Sequence, residues 1–163
     1  MRTVIVGLGN PVLSDDGLGI HAARALREVL PADEEVDVRE AYAGGLRVVE
    51  AIAGYDRAVI VDALWSGEVK PGTIVRLSLD DLRRSRNALS LHDLDLPTAL
   101  ALGAMTGLHV PPRIEFWGVE VGDARTFSEF LTAPVQESLP VVVAQVRAYV
   151  ASGFTAQAEE ACA

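Results

Sequence analysis

Hydrophobic residues recur along this chain with two alternating periods. Thr3-Val4-Ile5-Val6 is a β-branched run that stops at Gly7-Leu8-Gly9-Asn10-Pro11. A short apolar run closed by turn residues predicts a buried strand feeding a loop. Leu18, Ala22, Ala25, Leu26 and Val29 then fall at helical spacing, and Pro31 ends that helix. Val36–Ala41 alternates apolar and charged residues, as a half-buried strand does. Gly44-Gly45 opens a short helix over 46–53, and Ala58-Val59-Ile60-Val61 predicts a fully buried strand over 57–62. The Pro71-Gly72 turn precedes an edge strand at 73–77, followed by a polar connection, 79–91, with Arg83, Arg84 and Arg86 as a solvated run. A helix over 95–107 takes Asp95 as its cap and Pro97 in its first turn. A strand over 113–119 and a long helix over 134–150 come next, with Pro140 obscuring where that helix starts. Strands alternating with helices predict an α/β fold, a three-layer sandwich. Its twisted, mostly parallel five-stranded sheet carries helices on both faces. The expected domain is 1–150, and 151–163 is expected to be a flexible tail.

Composition narrows the class. With 163 residues, half of them hydrophobic, the chain fits one domain of roughly 100–200 residues and is too apolar to be disordered. Fourteen Lys and Arg against 23 Asp and Glu leave a formal net charge of −9, which argues against a nucleic-acid partner. The one cysteine, Cys162, allows neither an intrachain disulfide nor a cysteine-based zinc site and suits a reducing compartment. No apolar run reaches the roughly 18 residues of a membrane span, and the N-terminus lacks the apolar core of a signal peptide. A cytoplasmic protein without membrane insertion is expected.

In open α/β sheets ligands bind beyond the carboxyl ends of the strands, where the strand order reverses. Asn10, Asp15 and Asp16 come after the first strand, and Asp62 ends the third. If the order begins 2-1-3, Asp16 and Asp62 face one crevice from its two sides. Two carboxylates there require a shared proton or a cation. A loop imidazole, best supplied by His92 with Asp93 and Asp95 beside it, would complete an O, O, N set for a divalent metal. Spacing alone leaves other readings open. Asp15 or Asp16 could cap the first helix, Asp62 could cap the element after its strand, and His92 could be an ordinary loop histidine. His21 and His109 read as structural.

The run from Val6 to Gly19 (VGLGNPVLSDDGLG) resembles the opening signature of the [NiFe]-hydrogenase maturation endopeptidases. Ala58–Ala63, Pro71-Gly72-Thr73, Ser90-Leu91-His92-Asp93-Leu94, Trp117-Gly118-Val119-Glu120 and Phe130–Val135 continue the resemblance in order over 1–150. It implies an endopeptidase that removes the C-terminal extension of a nickel-loaded hydrogenase large-subunit precursor. It also implies catalytic Asp16 and Asp62, and metal contact through Asp16, Asp62 and His92. The nickel would be substrate-borne, with no metal required in the resting enzyme. Substrate contacts fall to Asn10, Glu40, Gly44 and Gly45. The 40–45 segment (EAYAGG) departs from the family's usual aspartate, glycines and threonine, and Val121 stands where many relatives have proline.

Serine or cysteine chemistry finds no support, because there is no Gly-x-Ser-x-Gly elbow and Cys162 falls in the expected tail; a His-Glu-x-x-His zinc motif is also absent. Two alternatives stand beside the peptidase. One is a non-cleaving nickel-sensing or chaperone module of hydrogenase assembly. The other is a peptidyl-tRNA-hydrolase-like enzyme. Gly7-Leu8-Gly9-Asn10-Pro11 resembles the opening of that family, but the chain lacks its subsequent Tyr-x-x-Thr-Arg-His-Asn segment.

Overall fold

The β-branched start of the chain forms β1, Thr3–Leu8, buried along its whole length. In the computed structural model, which describes residues 1–31, 35–84 and 96–154, it is one of five strands. The others are β2 (Val36–Ala41), β3 (Arg57–Leu64), β4 (Ile74–Ser78) and β5 (Arg113–Glu120). Their order is β2-β1-β3-β5-β4. β1 pairs in parallel with β2 and β3, and β3 with β5, while β4 joins the β5 edge antiparallel. The expected beginning 2-1-3 therefore holds, and the order reverses between β1 and β3.

The period-two pattern places alternate strand residues in two cores. Ile5, Val59, Val61, Trp117 and Val119 pack against α1 (Leu18–Val29) and α5 (Ala133–Ala151). Val4, Val6, Ala58, Ile60 and Phe116 pack against α2 (Leu46–Ile52) and α4 (Leu96–Met105). Each fully buried aliphatic side chain of this kind contributes about 1.5–3 kcal/mol relative to exposure. Helices cover both faces, so the three-layer α/β sandwich is the fold.

Most elements fall within a residue or two of expectation, and the larger differences have local reasons. β3 continues two residues past Asp62, because Ala63 and Leu64 are buried and pair with Val119 and Glu120. The connection after β4 begins as α3, Leu79–Arg84. Ser78 and Asp81 exchange hydrogen bonds there as a capping box: Ser78 N donates to the Asp81 carboxylate (2.9 Å) and Asp81 N to Ser78 Oγ (3.2 Å). Pro140 lies inside α5 without ending it. The domain also runs past 150. Phe154 is buried, its ring 4.7 Å from that of Tyr149, and its carbonyl accepts from Arg113. Arg86, His92, Asp93, Asp95 and Cys162 lie outside the described residues.

Candidate active site

Close packing at the carboxyl ends of β1 and β3 builds the site. α1 enters through a 3-10 turn, Ser14–Gly17, that packs against β3. Gly19, just inside the helix, lies so close to the sheet that a Cβ there would run into the carbonyl oxygens of Leu8 and Val61. Gly9, at φ +146°, lets the loop pass the Asp16 carbonyl, where a side chain has no room. Asp16 is thus brought beside the strand that carries Asp62. Asp16 follows β1 and Asp62 lies near the end of β3, the two strands between which the order reverses. Both are buried, Asp16 4% exposed and Asp62 0%.

Neither acid is the cap that spacing allowed. The cap position of α1 is held by Gly17, which has no side chain. Asp16 Oδ2 instead accepts Asn10 N at 3.0 Å, across the loop. Asp62 sits inside β3, where its Oδ1 accepts Ala63 N at 2.8 Å and its strand partner is Gly118. Asn10 serves the turn twice, because its Oδ1 accepts Val12 N (3.2 Å) while its own N–H holds Asp16.

Asp15, adjacent to Asp16, has a different place. It is fully buried, and its carboxylate accepts four hydrogen bonds: from Gly122 N and Asp123 N (3.1 Å each), Thr132 N (2.6 Å) and Thr132 Oγ1 (2.9 Å). Thr132 would otherwise cap α5 with its hydroxyl. It donates to Asp15 instead, which sets a negative charge at the helix N-terminus. Glu120, at the end of β5, is a second buried acid with full partners. It accepts from Ser66 N, Ser66 Oγ and Gly67 N at 2.7–2.9 Å and anchors the segment after β3. Sequence reasoning passed over both as anchors. For Glu120 a signal existed, a carboxylate closing an apolar strand as Asp62 nearly does.

The other expected substrate residues stand on the β2 side. Glu40 is held by Arg24 (3.2 Å), Arg27 and Tyr42 Oη (2.5 Å). Burial alone would raise its pKa. The hydrogen bonds from Tyr42, Arg27 and Arg24 outweigh that and keep it below 4.5. Gly45, at φ 61° and ψ −132°, starts α2, and its carbonyl accepts Val48 N at 3.1 Å. Gly44 precedes it, half-buried. A groove of about 460 Å³ lies beside this segment, lined by Arg39, Glu40, Tyr42, Arg47 and Glu50 among others. Of the histidines, His21 has its pKa lowered by burial first and by Arg24 second, against a hydrogen bond with the Glu129 backbone. The His109 carbonyl accepts Gly54 N at 2.9 Å. His21 lies inside α1, whereas His109 is exposed in the segment ahead of β5. Among the described residues no three His, Cys, Asp or Glu side chains form a metal-sized group. Of the three residues expected to contact a metal, Asp16 and Asp62 are described and His92 lies outside those residues.

Relatives bear on this geometry. Residues 20–148 match the model of a family described as hydrogenase maturation protease. Asp62 falls within the match, and Asp16 stands just ahead of it. The hydrogenase expression/formation protein HupD of Rhizobium leguminosarum bv. viciae is 27% identical over 87% of this chain and 70% of its own length. The hydrogenase 2 maturation protease of Escherichia coli is 28% identical over 73% of each chain. The solved structure of the hydrogenase maturating endopeptidase HybD from E. coli superposes with a TM-score of 0.78 and 27% identity, over 94% of both chains. No helix among the described residues is long and apolar enough to cross a membrane. A five-stranded, mostly parallel sandwich with two buried acids at its reversal point, and a family match over most of its length, place this chain in the hydrogenase maturation protease family.

Proposed function

We propose that the chain is the endopeptidase that removes the C-terminal extension of a nickel-loaded [NiFe]-hydrogenase large-subunit precursor, and that it reads the substrate's nickel through Asp16 and Asp62. The observation that carries this reading is the pair of buried carboxylates on either side of the β1–β3 reversal, in a family of maturation proteases. Two such acids repel, and a divalent cation relieves the repulsion. A precursor already carrying nickel supplies that cation, whereas an empty precursor does not. Carboxylate oxygens suit a first-row divalent ion, and an imidazole from His92 would complete the set.

Each residue has a defined task. Asn10 N–H fixes one oxygen of Asp16, and Ala63 N–H one oxygen of Asp62, so both carboxylates are held in set orientations at the crevice. Nickel docked between them brings the scissile peptide to the same corner. One carboxylate takes the proton of the attacking water as general base while the metal neutralises its neighbour. The groove beside Glu40, Gly44 and Gly45 receives a more distant part of the precursor. The reaction takes place in the cytoplasm.

The test is incubation with the nickel-loaded precursor and then intact-mass measurement. Loss of the extension with wild-type protein, and its retention with empty precursor, is the expected result. Tight binding of the loaded precursor without cleavage would instead identify a nickel-sensing module.

A further inference from the structure

Four exposed apolar side chains collect on segments that leave the carboxyl edge of the sheet. Val12 comes after β1, Trp65 after β3, and Phe127 and Phe130 after β5. Phe127 is 85% exposed and Phe130 81%. Exposed phenylalanines usually sit on loose loops, but the 122–132 loop is tied down. Ser14 N donates to Ser128 O (2.8 Å), Ser128 N to Val12 O (3.1 Å) and Asp15 N to Asp123 O (2.9 Å). Ser14 Oγ donates to Phe130 O (3.2 Å), and Asp123 Oδ1 accepts from Arg125 N and Thr126 N (3.0 Å each). The buried Asp15 carboxylate binds both ends of the same loop, at Gly122 and at Thr132. On its other flank Arg125 stacks on Trp65, 5.3 Å from the ring centroid.

Rigid loops that hold aromatic side chains in solvent are interaction anchors, since little entropy is lost when a partner covers them. The loop's ties also set where the aromatic side chains stand relative to the acids. Ser14 and Asp15, which hold it, are the two residues before Asp16 in one 3-10 turn, so the aromatic surface is continuous with the acidic corner. We infer that Phe127 and Phe130, flanked by Val12 and Trp65, form the docking surface for apolar side chains of the large-subunit precursor. Its nickel would be delivered to Asp16 and Asp62 alongside. The inference rests on the proposed function for its occupant and extends it to residues that hold the substrate without touching the reacting atoms.

Binding and cleavage of nickel-loaded precursor by wild type, Phe127→Ala/Phe130→Ala and Phe127→Tyr/Phe130→Tyr test this. The alanine pair should raise Kd and KM about tenfold or more, with kcat and the thermal midpoint close to wild type, and the tyrosine pair should restore binding. Val141→Ala, an exposed apolar position on α5, should change neither constant. Unchanged Kd and KM in the alanine pair overturn the inference. A dimeric wild type that the alanine pair makes monomeric at unchanged KM also overturns it, and assigns the surface to a second copy. Wild type that binds the precursor but never cuts it refutes the proposed endopeptidase, while the tenfold loss of binding would still support the docking surface.

Discussion

Asp15 and Asp16 are chemically identical neighbours with opposite tasks, and hydrogen bonding separates them. Asp15 uses both oxygens on four protein donors and is fully buried, so its task is to hold the loop. Asp15→Asn turns a side-chain amide N–H group toward some of those donors. About 3 kcal/mol of stability should be lost, read as a fall of roughly 10 °C in the thermal midpoint. His21 gives a pH signature. Its folded pKa is depressed below 6.5, so the unfolded chain binds more protons just below that pH. Stability should therefore fall as pH drops from about 7 past 6.5, and His21→Gln should flatten that limb in denaturant melts across pH. Glu40, depressed below 4.5, adds a second loss that begins only at lower pH. The anchoring task of Asp15 was not legible in the sequence. Asp15 meets partners 107 to 117 positions away, and no local spacing encodes them.

Element by element, periodicity foretold most of the fold because burial in two layers imposes it. The strands β1, β2 and β5 and the helices α1 and α5 obey their apolar patterns. Helix α1 shows the limit of such reading. Its buried face is wider than the pattern and rotated from it, since Gly19, Ile20 and Ala23 are buried while Val29 is exposed. Gly19 is the contact that sets α1 on the sheet. Alanine normally favours a helix interior over glycine by about 1 kcal/mol. Here the added methyl meets the Leu8 and Val61 carbonyls, so Gly19→Ala should lose about 2 kcal/mol instead and lower cleavage by displacing Asp16. Denaturant titration reads the sign directly, because a stabilised variant would remove Gly19 from this role. The early helix α3 was legible in Ser78 and Asp81, whose spacing is that of a capping box, but the polar composition of the segment hid it. The length of β3 was hidden because Asp62 is polar, and polarity inside a strand reads as its end.

At the scale of the molecule, strand order decides where chemistry is possible. β2-β1-β3-β5-β4 leaves one reversal, and the pair Asp16 and Asp62 stands there. That much of the candidate site was legible in the sequence, given the order 2-1-3. The aromatic surface was not, because exposure at Phe127 and Phe130 depends on how the 122–132 loop is bound to the turn before α1. Within a net charge of −9, these two carboxylates stand out as buried, where charge interactions are screened least. Whether the two acids process a nickel-bearing precursor is decided by the intact mass of nickel-loaded large-subunit precursor after incubation with wild type, Asp16→Asn and Asp62→Asn. A shortened subunit is expected with wild type and a full-length one with either variant. A full-length subunit with wild type, where an authentic relative cuts the same precursor, or undiminished cleavage by both variants, would refute their role.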